Sequence, residues 1–203
     1  MTQFSIKEIK NINKNNLPII SVYGSSTCKP DSKLYNKAYR LGRELGTKFV
    51  VTSGGYTGIM DGISKGVFEL NGISIGITTD EITKVDPSKY LSKEIREPTL
   101  MSRLQLIQNI ADIHLFLPGG TGTLTELALI WDKQKLGLLP LNPVVLLGNT
   151  WHKIFNLMFK ENLDVVKSNW KLDSEVEQNT ILLSSVLEFK IWLSSYIKGK
   201  KKK

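Results

Sequence analysis

The chain has 203 residues and is short of several things, each of which excludes a class of protein. It carries one cysteine, Cys28, so no disulfide can close within it, and a cytoplasmic setting is the expectation. No apolar run approaches the ~20 residues that a membrane span requires. Residues 1–16 lack the apolar core of a secretory signal. The two histidines, His114 and His152, lie far apart. With so few His and Cys, no cluster has metal-ligand spacing, and neither metal nor bound cofactor is expected. Internal repeats are absent, which removes the solenoid architectures.

What is present is ordinary for a soluble domain: 41% hydrophobic residues and 23% charged. A chain of this length can bury a core without covalent staples. One domain over residues 17–197 is expected, after an N-terminal extension 1–16 and before a basic tail 198–203. The net charge of +8 invites a nucleic-acid reading, but its placement argues against one. Lys198 and Lys200 to Lys203 supply much of it, and Lys7, Lys10 and Lys14 most of the remainder. The body between these ends is nearly neutral. A nucleic-acid partner is not expected, although the tail alone would give a salt-sensitive contact if one existed.

Short apolar runs alternate with amphipathic stretches, the pattern of a parallel α/β sheet. Strands are expected at 19–24, 49–52, 73–78, 113–117 and 143–148. Helices are expected at 32–46, where Leu34, Ala38, Leu41 and Leu45 share a face, and at 58–71, closed by a left-handed residue at Asn71-Gly72. Further helices are expected from 98 or 99 to 110, at 124–136 and at 151–162. A last one runs from the capping-box spacing of Ser185 and Glu188 to 197. The polar stretch 79–97, with Pro87, reads as a long irregular connection. Right-handed crossovers make this a single-domain, Rossmann-like, doubly wound parallel sheet.

Ligands of such sheets bind beyond the carboxyl ends of the strands. Three glycine-bearing turns fall there: Gly24 and Ser25; Ser53, Gly54 and Gly55; and Gly119, Gly120, Thr121, Gly122 and Thr123. In the last, glycines let backbone N–H groups approach an anion, and the following helix offers its unpaired amides and positive dipole end. Thr121 and Thr123 add hydroxyl donors. The alternative is a tight turn that needs its glycines for geometry. Glu126 lies one turn into that helix, and Arg103, in the preceding helix, can reach the same cleft.

The run 118–126 (PGGTGTLTE) matches the PGGxGTxxE signature and resembles the LONELY GUY (LOG) family. Gly24-Ser25-Ser26, residues 53–60 (resembling GGGxxGLM) and Met101-Ser102 before Arg103 extend the likeness over about 19–162. The resemblance implies a homodimeric phosphoribohydrolase that splits a cytokinin riboside 5′-monophosphate, or a related adenosine-type nucleotide, into base and ribose 5-phosphate. It implies Arg103 and Glu126 as the catalytic pair, with Met101 and residues 119–123 holding the substrate. Leu104 stands where the family helix usually has lysine, and Thr125 where glutamate is often found. An ionised Glu126 would stabilise the oxocarbenium charge developing on the ribose, and the 5′-phosphate would position the sugar. The other reading is a non-catalytic nucleotide or cofactor carrier on the same scaffold, as in the molybdenum-cofactor carriers that LOG-like proteins resemble. Leu104 is the feature that favours it.

Three minor features read as structural. His114, within an apolar strand, reads as a core residue. Trp151, Phe155 and Trp192 at helical spacing read as core or interface. Residues 150–153 (TWHK) only faintly resemble a pyridoxal-phosphate lysine motif.

Overall fold

The structure is a computed structural model that describes residues 3–159 and 174–200. Seven strands form one sheet: β1 (Ile19–Tyr23), β2 (Val50–Ser53), β3 (Ile73–Thr79), β4 (Lys93–Glu97), β5 (Ile113–Phe116), β6 (Val144–Leu147) and β7 (Thr180–Leu183). Their order is β4-β3-β2-β1-β5-β6-β7, and every pairing is parallel. The helices are α1 (Gln3–Ile12), α2 (Lys33–Leu45), α3 (Ile59–Phe68), α4 (Leu100–Asn109), α5 (Thr121–Lys135), α6 (Asn149–Phe159), α7 (Ser174–Gln178) and α8 (Val186–Lys200).

Strand alternation divides the core into two layers. On β6, Val144 and Leu146 face one layer while Val145 and Leu147 face the other. Helices α2, α3 and α8 cover the second face through Leu41, Ile63 and Phe189. Helices α1, α4, α5 and α6 cover the first through Ile9, Ile107, Ile130 and Trp151. This is the single-domain, Rossmann-like α/β fold that the alternation of apolar runs implies. The strand order reverses between β1 and β5, so the crevice beyond their carboxyl ends lies at a topological switch point.

Several expectations require correction. Residues 93–97, inside the expected irregular connection, form β4, whose sequence KEIRE buries only Ile95 and Glu97. An edge strand with one ladder neighbour needs little apolar surface and is guarded by charge, which hides it from a hydrophobicity reading. At the other edge, β7 pairs with β6, and it was not anticipated. Helix α5 begins at Thr121, three residues before the expected start, a turn hidden from the sequence by the weak helix propensity of glycine and threonine. The extension 1–16 contains α1, whose Ile9 is buried in the core. The expected end of α6 at 162 and residues 201–203 of the tail lie outside the described residues.

Local chemistry sets the helix ends as the sequence suggests. Ser32 caps α2 by accepting from the Tyr35 N–H, and Asn71 takes the left-handed conformation at φ 54°. Glu188 donates its N–H to Ser185 Oγ, but its carboxylate accepts from the N–H of Ser184 rather than that of Ser185.

Helices α2 and α3 pack backbone to backbone. A Cβ on Gly66 would sit 2.2 Å from the Tyr39 carbonyl oxygen, and one on Gly42 2.2 Å from that of Ile63. Neither carbonyl can swing aside as a side chain could. Gly66→Ala is therefore expected to destabilise the protein by about 2 kcal/mol or more, read as a lower urea midpoint at unchanged slope. A midpoint equal to wild type would show that the two helices separate freely.

Candidate functional site

The β1, β2 and β5 strands each end in one of the three glycine-bearing turns, and backbone bonds join those turns together. The Ser25 N–H donates to the Pro118 carbonyl (3.2 Å), and the Ile59 N–H donates to the Ser25 carbonyl (2.9 Å). Thr57 Oγ1 donates to the Ser26 carbonyl (2.8 Å). Between them opens a cleft of about 620 Å³.

The cleft is lined by Gly24 and Ser25 from the first turn, Gly54 from the second, and Gly120, Thr121, Gly122 and Thr123 from the third. Arg103 and Glu126 both line it, so one acid and one guanidinium open onto the same space. Four expected residues do not. Ser53 is buried and accepts from the Gly55 N–H, holding the turn in shape. Gly55, at φ 78°, packs against Gly76 of β3. Gly119 lies under Thr123, whose Oγ1 would be 2.1 Å from an added Cβ. Met101 points outward and is 64% exposed. On a helix, residues one and two positions apart face different directions, so the Arg103 side of α4 turns Met101 away. Leu104 is buried outside the cleft lining, so it leaves no missing charge at the site.

Sequence reasoning did not single out the apolar part of the lining, made by Met60, Ile82, Val85 and Leu100. It also missed Tyr56, whose ring supports the Arg103 guanidinium at 5.6 Å. Tyr56 and Met60 fall within the 53–60 run that carries the LOG likeness, whereas Ile82, Val85 and Leu100 come from segments that no local pattern marks.

The loop 119–123 is open over Gly120 and Gly122. Gly120 caps α5 at φ −94°, with no side chain bonded to the first-turn amides. A Cβ on Gly120 or Gly122 would meet nothing within 4 Å. Neither glycine is required by a left-handed backbone or by a neighbouring protein atom. What they leave is an open, amide-lined cradle at a positive helix end, suited to an anion.

Arg103 is fixed before any ligand arrives. The Thr99–Ser102 capping box starts α4 one turn earlier. Arg103 Nε donates to the Ile77 carbonyl (2.7 Å), and its Nη2 lies flat on Gly54, 1.9 Å from where a Cβ would be. Burial pulls the guanidinium below its ordinary pKa, and the Glu126 charge opposes that. Burial pushes the Glu126 carboxyl up to about 7, against the attraction of Arg103. Tyr23, which also lines the cleft, is raised by burial and by Glu126, and its hydroxyl lies 3.2 Å from Nδ1 of His114. Burial drives His114 down to about 3, so it stays neutral and serves the core rather than proton transfer at neutral pH. Trp151 and Phe155 are likewise core residues. Among the described residues no group of three or more His, Cys, Asp or Glu is placed to hold a metal ion, and no helix is long and apolar enough to cross a membrane.

Solved structures with this architecture include the molybdenum cofactor binding protein of Rippkaea orientalis: 24% identity, TM-score 0.66, 90% of this chain and 98% of that one covered. The molybdenum cofactor carrier protein of Chlamydomonas reinhardtii gives 20%, 0.65, 90% and 99%. A third structure, that of the protein TM1055, gives 25%, 0.67, 89% and 99%. No curated protein matches the sequence. A family model matches residues 17–171, from β1 through the whole cleft-forming region: the chain belongs to the SLOG cluster4 family, within a superfamily that includes LOG-like proteins.

Proposed function

We propose that the protein binds and carries a phosphorylated heterocyclic small molecule, a nucleotide or a molybdenum-cofactor-like compound, with its phosphate on the 120–123 loop. The observation that carries this reading is that Gly120 and Gly122 line the cleft at the N-terminus of α5 with open space over both. The apolar wall of Met60, Ile82, Val85 and Leu100 suits the flat ring of such a ligand. Arg103 supplies the positive charge beside it. The structural relatives described as molybdenum cofactor binders and carriers support a carrier over a catalyst.

The test is calorimetric titration of the wild-type protein and Gly122→Ala with adenosine and guanosine monophosphates, the parent nucleosides, and molybdenum cofactor released from a donor enzyme. A phosphorylated compound should bind and its unphosphorylated counterpart should not. Alanine at a helical position with open space raises helix propensity, so Gly122→Ala should be as stable as wild type or more so, by up to about 1 kcal/mol. It should nevertheless bind the phosphorylated ligand about tenfold or more weakly, because the methyl group occupies the cradle. Equal binding by both proteins, or no binding of any phosphorylated compound, would remove the loop from the site.

A second reading, hydrolysis of a nucleoside 5′-monophosphate to base and ribose 5-phosphate, is favoured by one observation. A carboxyl held near pH 7 lines the ligand cleft beside a cation, where general acid–base groups are usually tuned. In that reaction Glu126, once ionised, would stabilise the oxocarbenium charge and orient the attacking water, and Arg103 would hold the phosphoribosyl group. Base release from AMP that disappears in Glu126→Gln selects hydrolysis. Tight binding without release, retained in Glu126→Gln, selects the carrier.

A further inference from the structure

We infer that the groove between α2 and α8, on the opposite face of the sheet from α5, is a docking site for an acidic amphipathic helix of a partner protein. Three depressions of about 300, 380 and 630 Å³ lie side by side there, the last two divided by the Glu44–Lys190 ion pair that crosses from α2 to α8. The first two share Arg40 and Val186, and the last two share Glu44 and Lys190. Lys33 and Lys37 lie opposite Val186, Arg43 opposite Lys190, and Lys48 opposite Lys198, so the two helices run side by side in the same direction. At 1.5 Å per residue the 15-residue α8 gives a groove of roughly 20 Å, the length of three to four turns of a docked helix.

The floor is aliphatic, made by Val186, Leu187, Leu193, Ile197, Leu17 and Pro18. Leu187 is 67% exposed, a cost that a partner would relieve. The rim is basic, and its acids are already engaged. Glu44 pairs with Lys190, Glu69 pairs with Arg43, and Glu188 caps the start of α8. Lys33, Lys37, Arg40, Lys48 and Lys198 form no ion pair with a carboxylate among the described residues. In sequence, Lys200 to Lys203 extend the same charge beyond α8.

An occupant must therefore bring carboxylates to both edges and aliphatic groups to the middle. A helix with leucines on one face and glutamates flanking them does both. Nucleic acid meets the charge but not the floor, and no aromatic side chain lines the groove to stack a base. The inference is independent of the ligand cleft, which lies at the strand ends.

The experiment is fluorescence anisotropy of the full chain with a labelled 14-residue peptide bearing leucines at i, i+3, i+4 and i+7 between glutamates. A scrambled peptide of the same composition, a single-stranded DNA and a duplex serve as competitors. The patterned peptide should bind, should lose affinity as salt rises, and should outcompete its scramble. Combined Lys33→Glu, Lys37→Glu and Arg40→Glu should weaken it about tenfold or more at an unchanged thermal midpoint. Leu187→Glu, at an exposed position, should also weaken it, and it decides the question alone if the triple variant does not fold. The inference is overturned if scrambled and patterned peptides bind alike, if the peptide does not bind, if neither variant changes its affinity, or if DNA displaces it from the groove more strongly than unlabelled peptide.

Discussion

Glu126→Gln is expected to stabilise the ligand-free protein by roughly 3 kcal/mol at pH 8 and by almost nothing at pH 4. Burial in the cleft raises the Glu126 carboxyl from 4.5 to about 7 in the folded protein. The unfolded chain then releases this proton first as pH rises, so folding stability falls between about 4.5 and 7. Below that window both states hold the proton and the residue costs nothing. Above it the folded state bears the full penalty, at about 1.4 kcal/mol per pKa unit. Glutamine removes the penalty while keeping the shape. Urea unfolding of both proteins at the two pH values measures it. A difference between the proteins that does not change with pH would mean that Glu126 is not desolvated as described.

Arg103→Met acts in the opposite direction, with an expected loss of about 3–5 kcal/mol at pH 8. The substitution keeps the aliphatic stem but strips the Ile77 carbonyl of its donor and Glu126 of its buried counter-charge. Without Arg103 the carboxyl rises above 7, because only the guanidinium was holding it down. The loss should therefore be smaller at pH 5, where Glu126 is protonated whether or not Arg103 is present. Adding Glu126→Gln to Arg103→Met should restore part of the stability at pH 8, and the non-additivity measures the coupling of the pair. Equal destabilisation at both pH values would assign Arg103 to packing against Gly54 and Tyr56 alone. Ligand affinity should fall in either case, since methionine offers no cation to the cleft.

The likeness of 118–126 to the LOG signature falls on a loop that lines the cleft through Gly120, Thr121, Gly122 and Thr123. At the level of family, the chain is assigned to SLOG cluster4, and its function stays a proposal. The weight given to Leu104 illustrates how a motif comparison misleads when it ignores direction. A position beside Arg103 in sequence is about 100° around the helix from it, and Leu104 faces protein, not cleft. Met101 fails for the same reason. Ser53, Gly55 and Gly119 shape the turns from beneath and do not line the cleft.

Periodicity alone determined the parallel α/β class, the five interior strands and the helices between them. Apolar spacing reports directly which faces must leave water, and burial dominates the free energy of the fold. It could not reveal β4, because an edge strand needs only half a ladder and little apolar surface, or β7, whose apolar run of four residues is too short for its period to be read. Only the tertiary structure decided that Arg103 and Glu126, 23 positions apart on different helices, share one cavity with the 120–123 cradle. The same holds for the near-neutral carboxyl, since desolvation belongs to a place in the fold and not to a residue type. The α2–α8 groove is likewise invisible along the chain, as its two rims come from segments some 150 residues apart that meet only because both cover the same face of the sheet.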